Sequence, residues 1–247
     1  MRFLASIPFF ACYIIILFSC GNAGKVNIKG DPKAIQMAQN MIDSLGGKDG
    51  WAKIKSVYIR SVNSSTQQDG NYMTEEWIDL DQPKILRRQV IEKLSVTRIL
   101  NGNNGWTIKN NSIELMPDEA ITEMLDWYDH FLMKAVLAIA AGGENIEVKK
   151  NGNNRFDLYI GNKFMGGFEL NEHHMPIRYF NSPSTDLANS VMIIKWGEYK
   201  GLKYPLELHG QASLIIFRTD YWDPREINAE EAFNISFDPN VVLEKMN

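Results

Sequence analysis

The sequence predicts an α+β protein: a large antiparallel sheet with helices on one side. Three observations predict it. Helical spacing of apolar residues is confined to two stretches, near 31–45 and 117–141. Elsewhere the chain breaks into short apolar runs separated by Asn, Gly, Asp and Pro joints. The order helix, strands, helix, strands segregates the elements instead of alternating them, which disfavours a parallel sheet.

The first segment is not part of that fold. Residues 1–19 carry one basic residue, Arg2, then an apolar run, and the run stops at Cys20. That is the layout of a secretory signal peptide, too short to favour a permanent membrane span. Leu17-Phe18-Ser19-Cys20 resembles the bacterial lipobox. The resemblance implies diacylglycerol transfer to the Cys20 thiol, cleavage before Cys20 and acylation of the new amine. Cys12 and Cys20 are the only cysteines, so the chain beyond Cys20 holds no disulfide and no thiol nucleophile or thiol metal ligand. Residues 20–30 read as the acylated cysteine and a small polar tether, and 31–247 as a single domain.

Asp31-Pro32 opens the first helix, with Asp as N-cap and Pro at the first helical position. Ile35, Ala38, Met41, Ile42 and Leu45 recur at helical spacing, and Gly46-Gly47 ends it. Strands are expected at Ser56–Asn63, Tyr72–Leu80, Ile85–Lys93, Val96–Leu100, Trp106–Lys109 and Ile113–Met116. Their Asn-Gly joints accept the positive φ of tight hairpins, so the pairing should be antiparallel. The second helical stretch begins at Pro117 with Asp118 and Glu119 in its first turn, and stops at Gly142-Gly143. Its length allows a kink or two short helices. Strands resume at Ile146–Lys149, Phe156–Ile160, Phe164–Leu170, Ile177–Asn181, Met192–Tyr199, Tyr204–His209, Ser213–Thr219 and Asn234–Phe237.

Four pieces, in this order, resemble the lipoprotein-carrier superfamily with the LolA/LolB-like fold, and in particular lipid-anchored relatives in bacteria of the Bacteroidetes type. They are Leu45-Gly46-Gly47-Lys48-Asp49-Gly50-Trp51-Ala52-Lys53-Ile54-Lys55-Ser56, the hairpin Asn101-Gly102-Asn103-Asn104-Gly105-Trp106, Met175-Pro176-Ile177-Arg178, and the late hairpin from Gly197 to Pro205. The resemblance implies a strongly curved antiparallel sheet, an incomplete β-barrel, with helices covering the concave face. It also implies an apolar cavity that holds a lipid or a lipoprotein acyl chain. Candidate lining residues are Trp106, Met124, Trp127, Phe131, Leu132, Phe164, Met165 and Phe168. The many Met and aromatic residues suit such a cavity, because Met repacks around irregular ligands. Soluble carriers lack an anchor at the position of Cys20, so a tethered receptor or lipid-binding protein is expected instead of a free shuttle.

Enzyme signatures are scarce. The chain has no Gly-x-Ser-x-Gly elbow, phosphate-binding Gly loop or His-Glu-x-x-His helix, and neither catalytic residues, metal nor cofactor is expected. Glu123, Asp126 and His130 share a helix face and are the best metal candidates, against the plainer reading of a solvated acidic face. A formal net charge of −4 argues against nucleic acid. Membrane attachment therefore falls to Cys20, in the cell envelope of a Gram-negative bacterium, and the lack of Asp after Cys20 leans toward the outer membrane facing the periplasm. Two other classes remain open. One is a protein-interaction or envelope-sensor module with a self-filled core. The other is a sugar-binding or hydrolytic envelope component, with Trp127-Tyr128 and Tyr221-Trp222 as aromatic pairs of the sugar-stacking type.

Overall fold

A computed structural model describes residues 24–65, 68–92, 94–210 and 215–246. Cys20 and the expected signal peptide, residues 1–19, lie outside the described residues. The strands are β1 (Lys29–Gly30), β2 (Ser56–Ser65), β3 (Gln68–Asp79), β4 (Lys84–Ile91), β5 (Leu94–Asn101), β6 (Asn104–Lys109) and β7 (Ser112–Leu115), followed by β8 (Ile146–Lys150), β9 (Arg155–Ile160), β10 (Lys163–Leu170), β11 (Pro176–Phe180), β12 (Ser190–Tyr199), β13 (Leu202–Gly210) and β14 (Ile215–Arg225). The helices are α1 (Pro32–Ser44), α2 (Lys48–Trp51), α3 (Asp118–Asp129), α4 (Leu132–Ala141), α5 (Ala229–Phe233) and α6 (Pro239–Met246).

All 14 strands form one unclosed sheet in the order β1-β8-β9-β10-β11-β12-β13-β14-β2-β3-β4-β5-β6-β7. Every pairing is antiparallel except that of β1 with β8. Hairpins explain most of that order, since consecutive strands joined by tight turns pair with each other. The exception is β14, which returns to pair with β2 along its full length and joins the two groups of hairpins. The sheet is strongly curved. Tyr179 on β11 and Arg87 on β4 lie six strands apart, about 29 Å on a flat sheet at the usual strand spacing, yet both line one cavity. Register shifts in the β9–β10, β10–β11, β12–β13 and β14–β2 pairs bend the strands where that curl is needed.

Helices α1 to α4 cover the concave face. Their buried residues, among them Ala38, Met41, Ile42, Met124, Tyr128, Val136 and Ile139, join one core with Val57, Ile78, Ile85, Val148, Phe156 and Trp222 of the sheet. The expected helix over 117–141 is two helices, parted at His130 and Phe131, where Phe131 takes an extended backbone (φ −66°, ψ 121°). Two further helices, absent from the sequence reading, pack on the other face. Ala229 of α5 and Val242 of α6, with Phe237 between them, cover Leu86, Ile99 and Ile108. The strand expected at Asn234–Phe237 is therefore corrected to a non-strand link between α5 and α6. Pro239 opens α6 as an N-terminal proline does.

Two local expectations are also corrected. The tether stops short of residue 30. Val26 is buried in the core, its N–H donates to Gln39 Oε1 (2.7 Å), and β1 pairs with β8. Asp31 precedes α1 as expected but does not cap it with its side chain, which instead accepts from the N–H of Lys150 at 2.8 Å.

Candidate functional site

A cavity of about 650 Å³ opens between the concave sheet and the break between α3 and α4. One wall is apolar. Trp127 of α3, Phe131 at the break, and Leu132 and Met133 of α4 face Val191, Leu208 and Phe217 of the sheet. The break makes this wall. His130 Nδ1 lies 2.9 Å from the Asp126 carbonyl at the end of α3, and the chain then turns so that Trp127 and Phe131 meet with ring centroids 5.0 Å apart.

The rest of the sheet wall is polar, and register builds it. Thr219 of β14 sits opposite Ser61 of β2, Ser61 opposite Thr74 of β3, and Thr74 opposite Gln89 of β4. All four line the cavity, forming a row about 14 Å long at the usual strand spacing. One row deeper, Glu76 pairs with Arg87 (2.5 Å). The Arg87 guanidinium also sits 4.3 Å from the centroid of the Trp127 ring, so it is engaged on two sides. Arg98 donates to Gln89 Oε1 at 2.6 Å. Asn63, 1% exposed, donates from Nδ2 to Thr74 Oγ1 (2.8 Å), while its buried Oδ1 has no partner. Burial raises the pKa of Tyr72, and the Arg87 charge opposes that rise.

The sequence candidates divide. Trp127, Phe131 and Leu132 line the cavity. Met124 does not. It lies one step round the helix from the face bearing Glu123, Trp127 and His130, and is buried in the core beside Tyr128. Trp106 is on the wrong side of the sheet. Alternation along β6 turns Gly105 toward Met116 and Ile121, and turns Trp106 with Ile108 toward α5 and α6. Met165 and Phe168 fill the core, Phe168 stacked on Phe156 at 5.4 Å and tilted against Tyr179 at 5.1 Å. Phe164 packs beside the cavity against His130 and Tyr159 without lining it. Gly166 of this strand makes room for Tyr179. Its ring crosses Gly166 so closely that a Cβ there would lie 2.3 Å from the hydroxyl, which donates to the Met165 carbonyl.

Glu123, Asp126 and His130 stand at the cavity rim, but no group of three metal-capable side chains converges among the described residues. The aromatic pairs do not form sugar platforms. Trp222 is buried in the core and stacked on Tyr204 at 4.8 Å, while Tyr221 points to the opposite face beside Tyr58. Among the described residues, no helix is long and apolar enough to cross a membrane.

Sequence reasoning missed the polar wall, although the signal was present. On β2 the inward positions run Val57, Ile59, Ser61, Asn63. On β3 they run Ile78, Glu76, Thr74, Tyr72, and on β4 Ile85, Arg87, Gln89. Three adjacent strands change from apolar to polar within one row of each other, β3 and β4 at Glu76 and Arg87 and β2 one row later at Ser61.

Fold and site together define an α+β protein whose unclosed, curved sheet and helical cover enclose a two-sided cavity. No protein-family model and no curated protein matches the chain. Among solved structures it is similar to the crystal structure of a DUF1329 family protein from Desulfovibrio piger. The TM-score is 0.43 and the identity 6%, over 81% of this chain and 96% of that one. A likeness that distant bears on neither the mechanism nor the ligand.

Proposed function

We propose that this chain is a non-enzymatic, lipid-anchored envelope protein that holds the hydrocarbon of a lipid, or of a lipoprotein's acyl chain, in the concave cavity. The observation that carries the reading is the apolar wall of Trp127, Phe131, Leu132 and Met133 facing Leu208 and Phe217 across an unfilled interior. A volume of about 650 Å³ lies within the range of small-molecule sites, roughly 300–1,000 Å³. Each methylene moved from water onto that wall contributes about 0.8 kcal/mol. A self-filled sensor core is disfavoured by the same cavity. The lipobox-like Leu17-Phe18-Ser19-Cys20 supports the anchor, and the order of motifs resembling the lipoprotein carriers supports the ligand class.

Native mass spectrometry of protein extracted from membranes should reveal a co-purifying acyl lipid, and a fluorescent fatty acid should be taken up. Phe131→Asp, at a half-buried position, should abolish uptake while the protein stays folded by circular dichroism. Lipid-free protein that also ignores the probe would contradict the reading. For the anchor, Cys20→Ala should release the protein from the membrane fraction and stop incorporation of labelled palmitate.

A further inference from the structure

We infer that the acyl ligand lies across the strands, with the free end of its chain under α4 against β12 to β14 and its polar head under α3 against β2 to β4. This rests on reading the cavity as an acyl-chain site and adds two subsites, one for the chain end and one for the head.

The covering helices divide the cavity. Trp127 of α3 stands over β4, its ring centroid 4.3 Å from the Arg87 guanidinium. Met133 of α4 meets β14, where the Trp222 indole N–H donates to its sulfur at 3.3 Å. His130, at the break, faces Phe164 of β10 with ring centroids 6.1 Å apart. Helix α3 therefore roofs the β4 end of the cavity and α4 the β14 end.

Side-chain chemistry changes along the same axis. Between β12 and β14 the lining is Val191, Leu208, Ile215 and Phe217, with Leu132 and Met133 of α4 above. The polar groups at that end are marginal. The Ser190 hydroxyl already donates to the Leu187 carbonyl at 2.6 Å, Asn181 is exposed, and Thr219 marks the boundary beside Ser61. From β2 to β4 the lining includes Ser61, Thr74, Gln89 and the Glu76–Arg87 pair, and Ile59 is the one aliphatic side chain among the described residues there. A chain laid over β2 to β4 would take those polar groups from water with no partner in return, which costs affinity for each. A head at the β14 end would lose its own hydration against carbon. The reverse placement avoids both losses.

The span also fits. Five strand spacings separate β12 from β4, about 24 Å along the sheet and less across its curl. One acyl chain fills half of a bilayer core of about 30 Å, so roughly 15 Å, and the rest is left for the head.

Two photoreactive palmitates test the direction on the full-length protein, one with a diazirine near the methyl end and one with it beside the carboxyl. Peptide mapping should place methyl-end adducts on β13, β14 and α4, and carboxyl-end adducts on β3, β4 and α3. Saturated fatty acids of increasing length give a second readout. Affinity should rise about 4-fold per methylene until the chain end reaches β12 and β13, then level off. Leu208→Trp, which fills the far end, should bring that plateau to shorter chains and leave the shortest bound as in the wild type. Gln89→Trp, at the head end, should weaken every length by the same factor. Adducts in the reverse pattern, or from both probes on the same peptides, would overturn this inference alone. So would a plateau shortened by Gln89→Trp and not by Leu208→Trp. Failure of every fatty acid to bind or label would overturn both this inference and the function on which it rests. The labelling needs no variant, so a misfolded mutant would not rescue the idea.

Discussion

The two halves of the concave face share one sheet and one set of covering helices, yet one is packed solid and the other is open. On β8 to β10 the core-facing positions include Val148, Phe156, Leu158 and Phe168, all buried, with the Phe156 and Phe168 rings stacked. On β14 and β2 to β4 the matching depth carries Thr219, Ser61, Thr74 and Gln89. Curvature alone therefore does not make the cavity. Polar side chains at one register level line the open half, and burying them against the apolar helices would cost free energy.

That contrast can be broken most severely in the filled half. Phe168→Ala should cost about 3–5 kcal/mol in denaturant unfolding, since a fully buried ring is replaced by a void. A loss below about 1 kcal/mol would mean the half is not packed as described. Next in size is Asp157→Ala. Arg155 and Asp157 form an ion pair at 2.8 Å with side chains only 7% and 4% exposed, and Arg155 also donates to the carbonyls of Ser182 and Ser184. Removing the carboxylate strands a buried guanidinium and should cost about 3 kcal/mol. In the open half the double substitution Asn63→Leu/Thr74→Val should move stability by no more than about 1 kcal/mol, and upward if at all, because both members of a polar pair leave together. A large loss there would show that the polar row stabilises the fold.

The smallest expected effect is a pH dependence at the edge of the cavity wall. Burial pushes the Asp129 carboxyl up, but Lys163 and Lys134 outweigh it and leave the pKa below its ordinary value. A carboxyl depressed in the folded state adds stability above its unfolded pKa and loses it as pH falls through the folded value. Asp129→Asn should therefore flatten the loss of stability below the ordinary carboxylate range, seen as urea midpoints that change less between neutral and acidic pH. Equal slopes for both proteins would remove Asp129 from the account of acid unfolding.

Much of the fold was legible because its signals are local. Period-2 runs and Asn-Gly joints gave strand after strand between Ser56 and His209, and Pro117 with Gly142-Gly143 bracketed the covering helices. The C-terminal helices were not legible, because α5 and α6 have only 5 and 8 residues and are held by contact with Leu86, Ile99 and Ile108 rather than by a long apolar stripe. The site was half legible. Trp127, Phe131 and Leu132 stood out as surplus apolar residues on a helix. Trp106 and Phe168 stood out as aromatic in the same way, but which face an aromatic occupies depends on strand phase. Ser61, Asn63 and Thr74 drew no attention singly, since each is ordinary in a strand, and only the register of three strands makes them a row.

Were Cys20 acylated as proposed, one feature at the opposite end of the chain would set how the domain sits at a membrane. Val26 is the first buried position among the described residues, and Cys20 lies only six residues before it, a reach of no more than about 22 Å at full extension. A leash that short gives an acylated chain almost no slack. The domain would rest against the lipid headgroups in a narrow range of poses, and its ligand would travel to the cavity instead of the cavity swinging out to meet it.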